Sequence, residues 1–286
     1  MEVKFIMYEI LRKEILNPTV ILMDIFAPAV AKKAEPGQFI ILRTDADGER
    51  IPLTVADFDR EGGSVTIIFQ KVGATTEKLA HMQVGDALSD FVGPLGKATE
   101  CEGVRKVAIV GGGVGCAIAY PVAKKFSELG AQVHTVVGFR NKDLVILEDE
   151  FRAVSSVMKL MTDDGSAGER GLVTDALKTL IESGEQYDRV ITIGPLIMMK
   201  FVSALTKQYG IPTVASMNPV MIDGTGMCGG CRLSVGGEMK FACVDGPEFD
   251  AHLIDFDEAM ARGAMYREFE RHAHEETCNL FAKEVE

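Results

Sequence analysis

No run of apolar residues in the 286-residue sequence approaches the roughly 18 to 20 that a membrane-spanning helix needs. The opening residues Met1, Glu2, Val3, Lys4 and Phe5 lack the charged-then-apolar layout of a secretory leader. The expectation is a chain that stays in the cytoplasm, with no membrane contact. Basic charge is also short: 30 Lys and Arg stand against 42 Asp and Glu, a net charge of −12. Such a surface repels phosphate backbones and offers no basic patch, so nucleic acid is not an expected partner. Internal repeats and low-complexity tracts are missing, which excludes solenoids and disordered linkers. A disulfide framework is not expected either, because six cysteines in a reducing compartment point to metal or redox chemistry wherever they cluster.

The composition, 47% hydrophobic and 25% charged, is that of an ordinary globular protein long enough for two domains and an appendage. Short Val-, Ile- and Phe-rich runs predict strands at Phe5–Leu11, Thr19–Phe26, Gln38–Arg43, Leu53–Phe58, Ser64–Val72 and Ala87–Val92, separated by Gly, Pro and Asp turns. Six such strands predict an antiparallel Greek-key barrel over 1–97, with one helix, Thr75–Met82. After Gly93-Pro94-Leu95-Gly96-Lys97, strands alternate with amphipathic helices. That pattern predicts a Rossmann-like parallel sheet over 98–217. The remainder, 218–286, divides into a Gly- and Cys-rich segment and a charged helical tail with Met260, Ala264, Met265 and Phe269 on one apolar face.

Cys228, Cys231 and Cys243 form the cysteine cluster, whereas Cys101, Cys116 and Cys278 are scattered and read as small apolar residues. Soft thiolates suit iron, and Gly224, Gly226, Gly229 and Gly230 let backbone amides turn toward cluster sulfides. A plant-type 2Fe-2S pattern would place its first cysteine where Asp223 stands, making that carboxylate the candidate fourth ligand. A zinc knuckle, or a redox-active C-x2-C pair, uses the same spacing.

Gly111, Gly112, Gly113, Val114 and Gly115 follow a hydrophobic strand and open a helix, the arrangement that cradles a dinucleotide phosphate. Arg140, after the second strand, is placed to stack on adenine or pair with a 2′-phosphate. The spacing does not choose between NADH and NADPH. Glycine-bearing turns at Thr162–Ser166 and Ile193–Pro195 end later strands, where ligands of open parallel sheets bind. In the barrel, Arg50-Ile51-Pro52-Leu53-Thr54 offers a cation and a hydroxyl, and Val72-Gly73-Ala74-Thr75-Thr76 offers amides and hydroxyls at a helix mouth. Read alone, both are surface turns.

A barrel with R-x-P-L-T and V-G-x-T-T, then G-P-L-G, a G-G-G-x-G turn and a terminal cysteine cluster resembles the ferredoxin-reductase superfamily over the whole chain. Within it the order is similar to the electron-transfer subunit of dihydroorotate dehydrogenase and, more closely, to the small subunit of NADH-dependent ferredoxin:NADP oxidoreductase. Asp223 separates the two, since the dihydroorotate-linked subunits carry cysteine there. The resemblance implies that Arg50, Pro52, Leu53 and Thr54 contact FAD, with Phe69, Gln70 and Lys71 on the next strand and Gly73, Thr75 and Thr76 at its pyrophosphate. It implies NAD(H) at Gly111–Gly115 and a 2Fe-2S cluster on Asp223, Cys228, Cys231 and Cys243. It further implies a heterodimer with a larger flavin and 4Fe-4S subunit that handles NADP(H) and ferredoxin, docked through the C-terminal tail. Family members commonly place arginine directly before proline, whereas here Ile51 intervenes. A reading of another class is a zinc-containing regulatory nucleotide-binding module.

Overall fold

The structure is a computed structural model that describes residues 8–266 and 268–273. The predicted first strand before Tyr8, Cys278 and most of the predicted tail beyond 273 lie outside the described residues.

The first unit contains β1 (Tyr8–Asn17), β2 (Val20–Phe26), α1 (Pro28–Ala31), β3 (Phe39–Arg43), β4 (Ile51–Asp59), β5 (Ser64–Gln70), α2 (Ala74–His81), β6 (Ala87–Leu88) and β7 (Asp90–Leu95). Its antiparallel sheet runs β6-β1-β2-β5-β4-β3-β7. Seven strands replace the expected six because the predicted last strand breaks at Ser89. Its first half pairs with β1 and its second with β3, at opposite ends of the sheet. One segment thereby joins both edges and closes the barrel, which removes the unpaired edges an open sheet would expose. Alternate residues point inward, and Ile10, Met23, Ile25, Ile40, Leu42, Val55, Ile67, Phe69 and Phe91 fill the interior. The four-residue α1, begun by a proline whose missing N–H costs nothing at a first helical position, is too short to leave a periodic signal.

The second unit contains β8 (Lys106–Gly112), α3 (Gly115–Glu128), β9 (Gln132–Phe139), α4 (Glu148–Val154), β10 (Val157–Thr162), β11 (Glu169–Arg170), α5 (Val173–Glu182), β12 (Arg189–Ile193), α6 (Leu196–Gln208) and β13 (Thr213–Ser216). The order β11-β10-β9-β8-β12-β13 is parallel throughout. Near-continuous apolar strands such as Val107–Val110 are buried on both faces by helices. The barrel packs on α3: Val20, Leu22, Ala56 and Ile68 share one core with Ala119, Val122 and Phe126.

The third stretch carries β14 (Arg232–Val235) and β15 (Glu238–Phe241), then α7 (Ala242–Asp245), β16 (Glu248–Asp250) and α8 (Phe256–Gly263). β16 adds antiparallel to β13 at the sheet edge. Residues 268–273 are helical.

At the seam of the three units Thr99 Oγ donates to Glu248 Oε1 at 2.7 Å, and the Lys97 amide donates to the Gly246 carbonyl at 2.7 Å. Burial pushes the Glu248 carboxyl from 4.5 up to about 7, with the Thr99 hydroxyl and Arg189 pulling it partly back. Because the folded value is raised, the folded state binds the extra proton between these values. The stability held at low pH falls as pH rises through 7, by at most about 3 kcal/mol. Glu248→Gln keeps an acceptor for Thr99 and removes the titration. Urea midpoints of the wild type are expected to fall from pH 5 to pH 8 more steeply than those of the variant; parallel profiles would remove Glu248 from this role.

Candidate functional site

β8, β9, β10 and β11 run outward in sequence, after which the chain returns to place β12 on the other side of β8. Ligands of open parallel sheets bind at the C-terminal ends of such diverging strands. Both turns at this point are glycines for a steric reason. A Cβ on Gly115 would lie 2.7 Å from Gly194 Cα and 2.7 Å from the Ile193 carbonyl oxygen, and one on Gly112 would lie 2.4 Å from Met198 Sδ. Gly113 has φ of +56° and open space beside it, so the tip of the turn is free for a phosphate. The 14-residue α3 starts at Gly115 and presents its N-terminal end there, with the Cys116 and Ala117 amides turned back onto the carbonyls of Gly113 and Val114. Arg140 is exposed beyond β9, and the Asp164 amide donates to its carbonyl at 3.4 Å. The acidic turn after β10 therefore lies beside it.

On the barrel, Pro52, Leu53 and Thr54 are half-buried on β4. Phe69 is buried in the barrel core and stands opposite Ile21 in the ladder between β2 and β5, while Gln70 and Lys71 are part-exposed. The Thr76 hydroxyl accepts from the amides of Val72 and Gly73, both at 3.0 Å, and donates to the Gly73 carbonyl. That side chain shapes the turn. A Cβ on Gly73 would meet nothing within 4 Å, so the mouth of α2 is open to an anion. Thr75 donates to Glu49 at 2.8 Å, a neighbour the sequence reading did not single out. Arg50 Nε donates to the Ile222 carbonyl at 3.1 Å.

The cysteine loop follows β13. Gly224, Gly226 and Gly229 have φ of +75°, +80° and +69°, turns that residues with a Cβ rarely adopt. Asp223 accepts from the Thr225 amide at 2.9 Å and, with its other oxygen, from the Cys228 amide at 3.1 Å. These bonds, the Thr225 amide first, hold its carboxyl below the usual aspartate range. Cys228 is exposed, with the Gly230 amide 3.5 Å from its sulfur. Cys231 and Cys243 are buried, and the Cys243 amide donates to Cys231 Sγ at 3.4 Å. Burial, followed by the Cys231 neighbour, pushes the Cys243 thiol up to about 12.

The loop thus brings its four candidate ligands together as two pairs, Asp223 with Cys228 and Cys231 with Cys243. Among the described residues no three His, Cys, Asp or Glu converge on a single ion position. A structural zinc needs four ligands on one centre. Two pairs, with N–H groups aimed at sulfur, fit a binuclear iron-sulfur cluster, whose two irons divide the ligands between them. His252 is held elsewhere, Nε2 lying 3.0 Å from Thr206 Oγ.

The loop and the barrel share a core in which Phe39 and Ile41 of β3 pack with Met221, Cys231, Leu233 and Cys243. Loop, barrel and sheet are therefore one packed arrangement, with α6 contributing Met199 to the same cluster.

A family profile described as the iron-sulfur cluster binding domain of dihydroorotate dehydrogenase B matches residues 218–255, which hold all four candidate ligands. A Thermotoga maritima protein described as a homolog of the dihydroorotate dehydrogenase B (NAD(+)) electron transfer subunit is 47% identical over 267 residues, 92% of this chain and 94% of its own length. The electron transfer subunit of dihydroorotate dehydrogenase B (NAD(+)) from Fusobacterium nucleatum is 32% identical over 78% of this chain and 87% of its own. The chain belongs to the dihydroorotate dehydrogenase B electron-transfer subunit family. As a member of that family it is an oxidoreductase subunit. A solved structure of an NADH-dependent reduced ferredoxin-NADP oxidoreductase, described for flavin-based electron bifurcation, matches with a TM-score of 0.90 at 45% identity, over 96% of this chain and 99% of that one. The cytochrome b5 reductase domain of Ulva prolifera nitrate reductase, 15% identical with a TM-score of 0.60, shares the ferredoxin-reductase fold. Among the described residues no helix is long and apolar enough to cross a membrane.

Proposed function

We propose that this chain is the NAD(H)-linked subunit of an electron-bifurcating NADH-dependent ferredoxin:NADP oxidoreductase. Its units are then a FAD-binding barrel (1–97), an NAD(H)-binding sheet (98–217) and a 2Fe-2S segment with a helical tail (218–286). One observation carries the reading: the cysteine loop is packed against β3, the barrel strand that pairs with the motif-bearing β4, and the barrel in turn is packed on the helix that the glycine turn opens. The packed protein between Gly111–Gly115 and the loop that bears Cys231 and Cys243 is continuous.

In this reading, Gly111, Gly112, Gly113, Val114 and Gly115 form the side-chain-free turn against which the dinucleotide phosphates lie, and Arg140 lies toward the adenosine end. Pro52, Leu53 and Thr54 flank the flavin, with Phe69, Gln70 and Lys71 beside them. Gly73 and the amides of Thr75 and Thr76 receive its pyrophosphate at the α2 mouth. Asp223, Cys228, Cys231 and Cys243 hold the cluster. When bound, these groups supply the chemistry, a hydride accepted as a pair and electrons released singly. The protein's part is to position them, and no side-chain base is needed.

The partner is a larger flavin and 4Fe-4S subunit that handles NADP(H) and ferredoxin, forming a heterodimer. Val220, Ile222, Met227 and Val244 are exposed around Cys228, with Met227 at 87%. An apolar rim around an exposed ligand is the kind of surface a partner covers. Met265 and Phe269, exposed after α8, extend the available apolar area.

Anaerobically purified protein is expected to contain about one flavin, with about two irons and two sulfides, per chain. Zinc without flavin would establish the regulatory module in its place. Mixing the chain with each candidate large subunit separates the two family activities: ferredoxin and NADP turnover supports the proposal, and dihydroorotate oxidation would overturn it.

A further inference from the structure

We propose that Arg50 is a positioning residue that fixes the Asp223 arm of the cysteine loop to the barrel, and is not a flavin phosphate ligand. The inference rests on the functional reading above only where it concerns the cluster.

Arg50 stands at the barrel rim just before β4, and its Nε donates to the Ile222 carbonyl at 3.1 Å across 172 residues of sequence. Ile222 directly precedes Asp223. The guanidinium is held from the barrel side as well. Its Nη1 lies 4.0 Å from Asp90 Oδ2, and Arg43 Nε forms an ion pair with the same carboxylate oxygen at 2.7 Å. Arg43 and Asp90 are cross-strand partners on β3 and β7, so the anchor belongs to the rigid part of the barrel.

A second fixed point lies just past the carboxylate. Gly224, at φ +75°, sits so close to the barrel that a Cβ on it would be 2.7 Å from Leu95 Cδ1 and 2.8 Å from Ile41 Cδ1. Asp223 is therefore bracketed by two barrel contacts, one polar at 222 and one steric at 224. From that bracketed position its carboxylate reaches the amides of Thr225 and Cys228. The barrel sets where the oxygen donor stands, and the donor sets where Cys228 stands.

The extra residue before the proline supplies the sequence reason. Side chains in extended chain alternate between faces, so moving arginine from one to two positions before Pro52 turns it to the opposite side. On that side Arg50 meets the loop. Arginine suits the role because its planar group donates to the carbonyl from one edge while its charge faces the Asp90 carboxylate, which a lysine ammonium does not do with fixed geometry.

The experiment combines hydrogen exchange with spectroscopy on the full-length chain for R50A and, as a milder change that leaves Arg50 in place, for D90N as well. Amides of 222–228 are expected to exchange about tenfold faster in R50A, and by a smaller factor in D90N, while β1, β2 and β5 keep their protection. Flavin content is expected to stay at the wild-type level. In the iron-loaded R50A protein, removal of a cation beside the Asp223 arm is expected to make the cluster potential more negative and to shift its reduced-state electron paramagnetic resonance signal. Loss of flavin with unchanged loop exchange and an unchanged cluster signal would overturn the assignment and return Arg50 to the flavin. If the wild-type chain holds no iron, the functional reading fails, and the exchange result alone decides the role of Arg50.

Discussion

Replacing Cys228 with serine is expected to leave NADH able to bleach the flavin while onward transfer to an external one-electron acceptor falls by about 100-fold or more. Cys228 is the exposed member of the four, bonded through its amide to Asp223 and receiving the Gly230 amide at its sulfur. Serine is close in size and keeps the backbone bonds, so the loop stays folded. What is lost is the soft anionic sulfur, and a hard hydroxyl oxygen is a poor substitute on iron. The glycine turn and the barrel are untouched, which is why NADH oxidation at the flavin survives. Stopped-flow absorbance separates the two steps, with flavin bleaching on one trace and acceptor reduction on the other. Undiminished acceptor reduction in the serine variant would mean that electrons leave this chain from the flavin directly.

A second large effect is expected from Gly115→Ala. The added methyl would stand 2.7 Å from both Gly194 Cα and the Ile193 carbonyl oxygen. Both are backbone atoms of the neighbouring strand end, so nothing swings aside and β8 and β12 must separate at their C-terminal ends. Overpacking of this kind costs about 1–3 kcal/mol. Since the strained point is where the phosphates would be received, the NADH dissociation constant is expected to rise roughly 10- to 100-fold. Gly113→Ala provides the contrast. Its methyl meets nothing within 4 Å, and its φ of +56° is the one source of strain, of order 1 kcal/mol, so a smaller loss is expected. The NADH concentration dependence of the flavin-bleaching rate in stopped flow checks both; equal half-saturating concentrations for wild type and Gly115→Ala would place the dinucleotide elsewhere.

Much of this architecture was legible because it is local. The barrel strands declare themselves by Val, Ile and Phe runs between Gly, Pro and Asp turns, and the sheet by apolar strands spaced with amphipathic helices. The glycine turn after Val110 and the spacing of Asp223 with Cys228 and Cys231 are likewise short-range patterns with a chemical reason. What the sequence hid is long-range. The break at Ser89 shows only when the two halves of one predicted strand pair with β1 and β3 at opposite edges. β16 is three residues long and becomes a strand because β13 offers an open edge. The same holds for the site. The motif gives no hint that Arg50 Nε donates to a carbonyl 172 residues away. Thr76 carries a hydroxyl that suits a phosphate, yet that hydroxyl is spent on capping its own turn. Such competition between a ligand and the protein's own hydrogen bonds is invisible until the backbone is placed.

The central claim is that NADH, flavin and an iron-sulfur cluster form one electron path within this chain. An anaerobic absorption titration with NADH tests it most directly. The account predicts flavin bands overlaid on broad iron-sulfur absorption, with bleaching of the flavin bands followed by loss of intensity across the broad band as electrons reach the cluster. A colourless protein, or a yellow one whose flavin bleaches with no iron-sulfur absorption beneath it, would contradict the account.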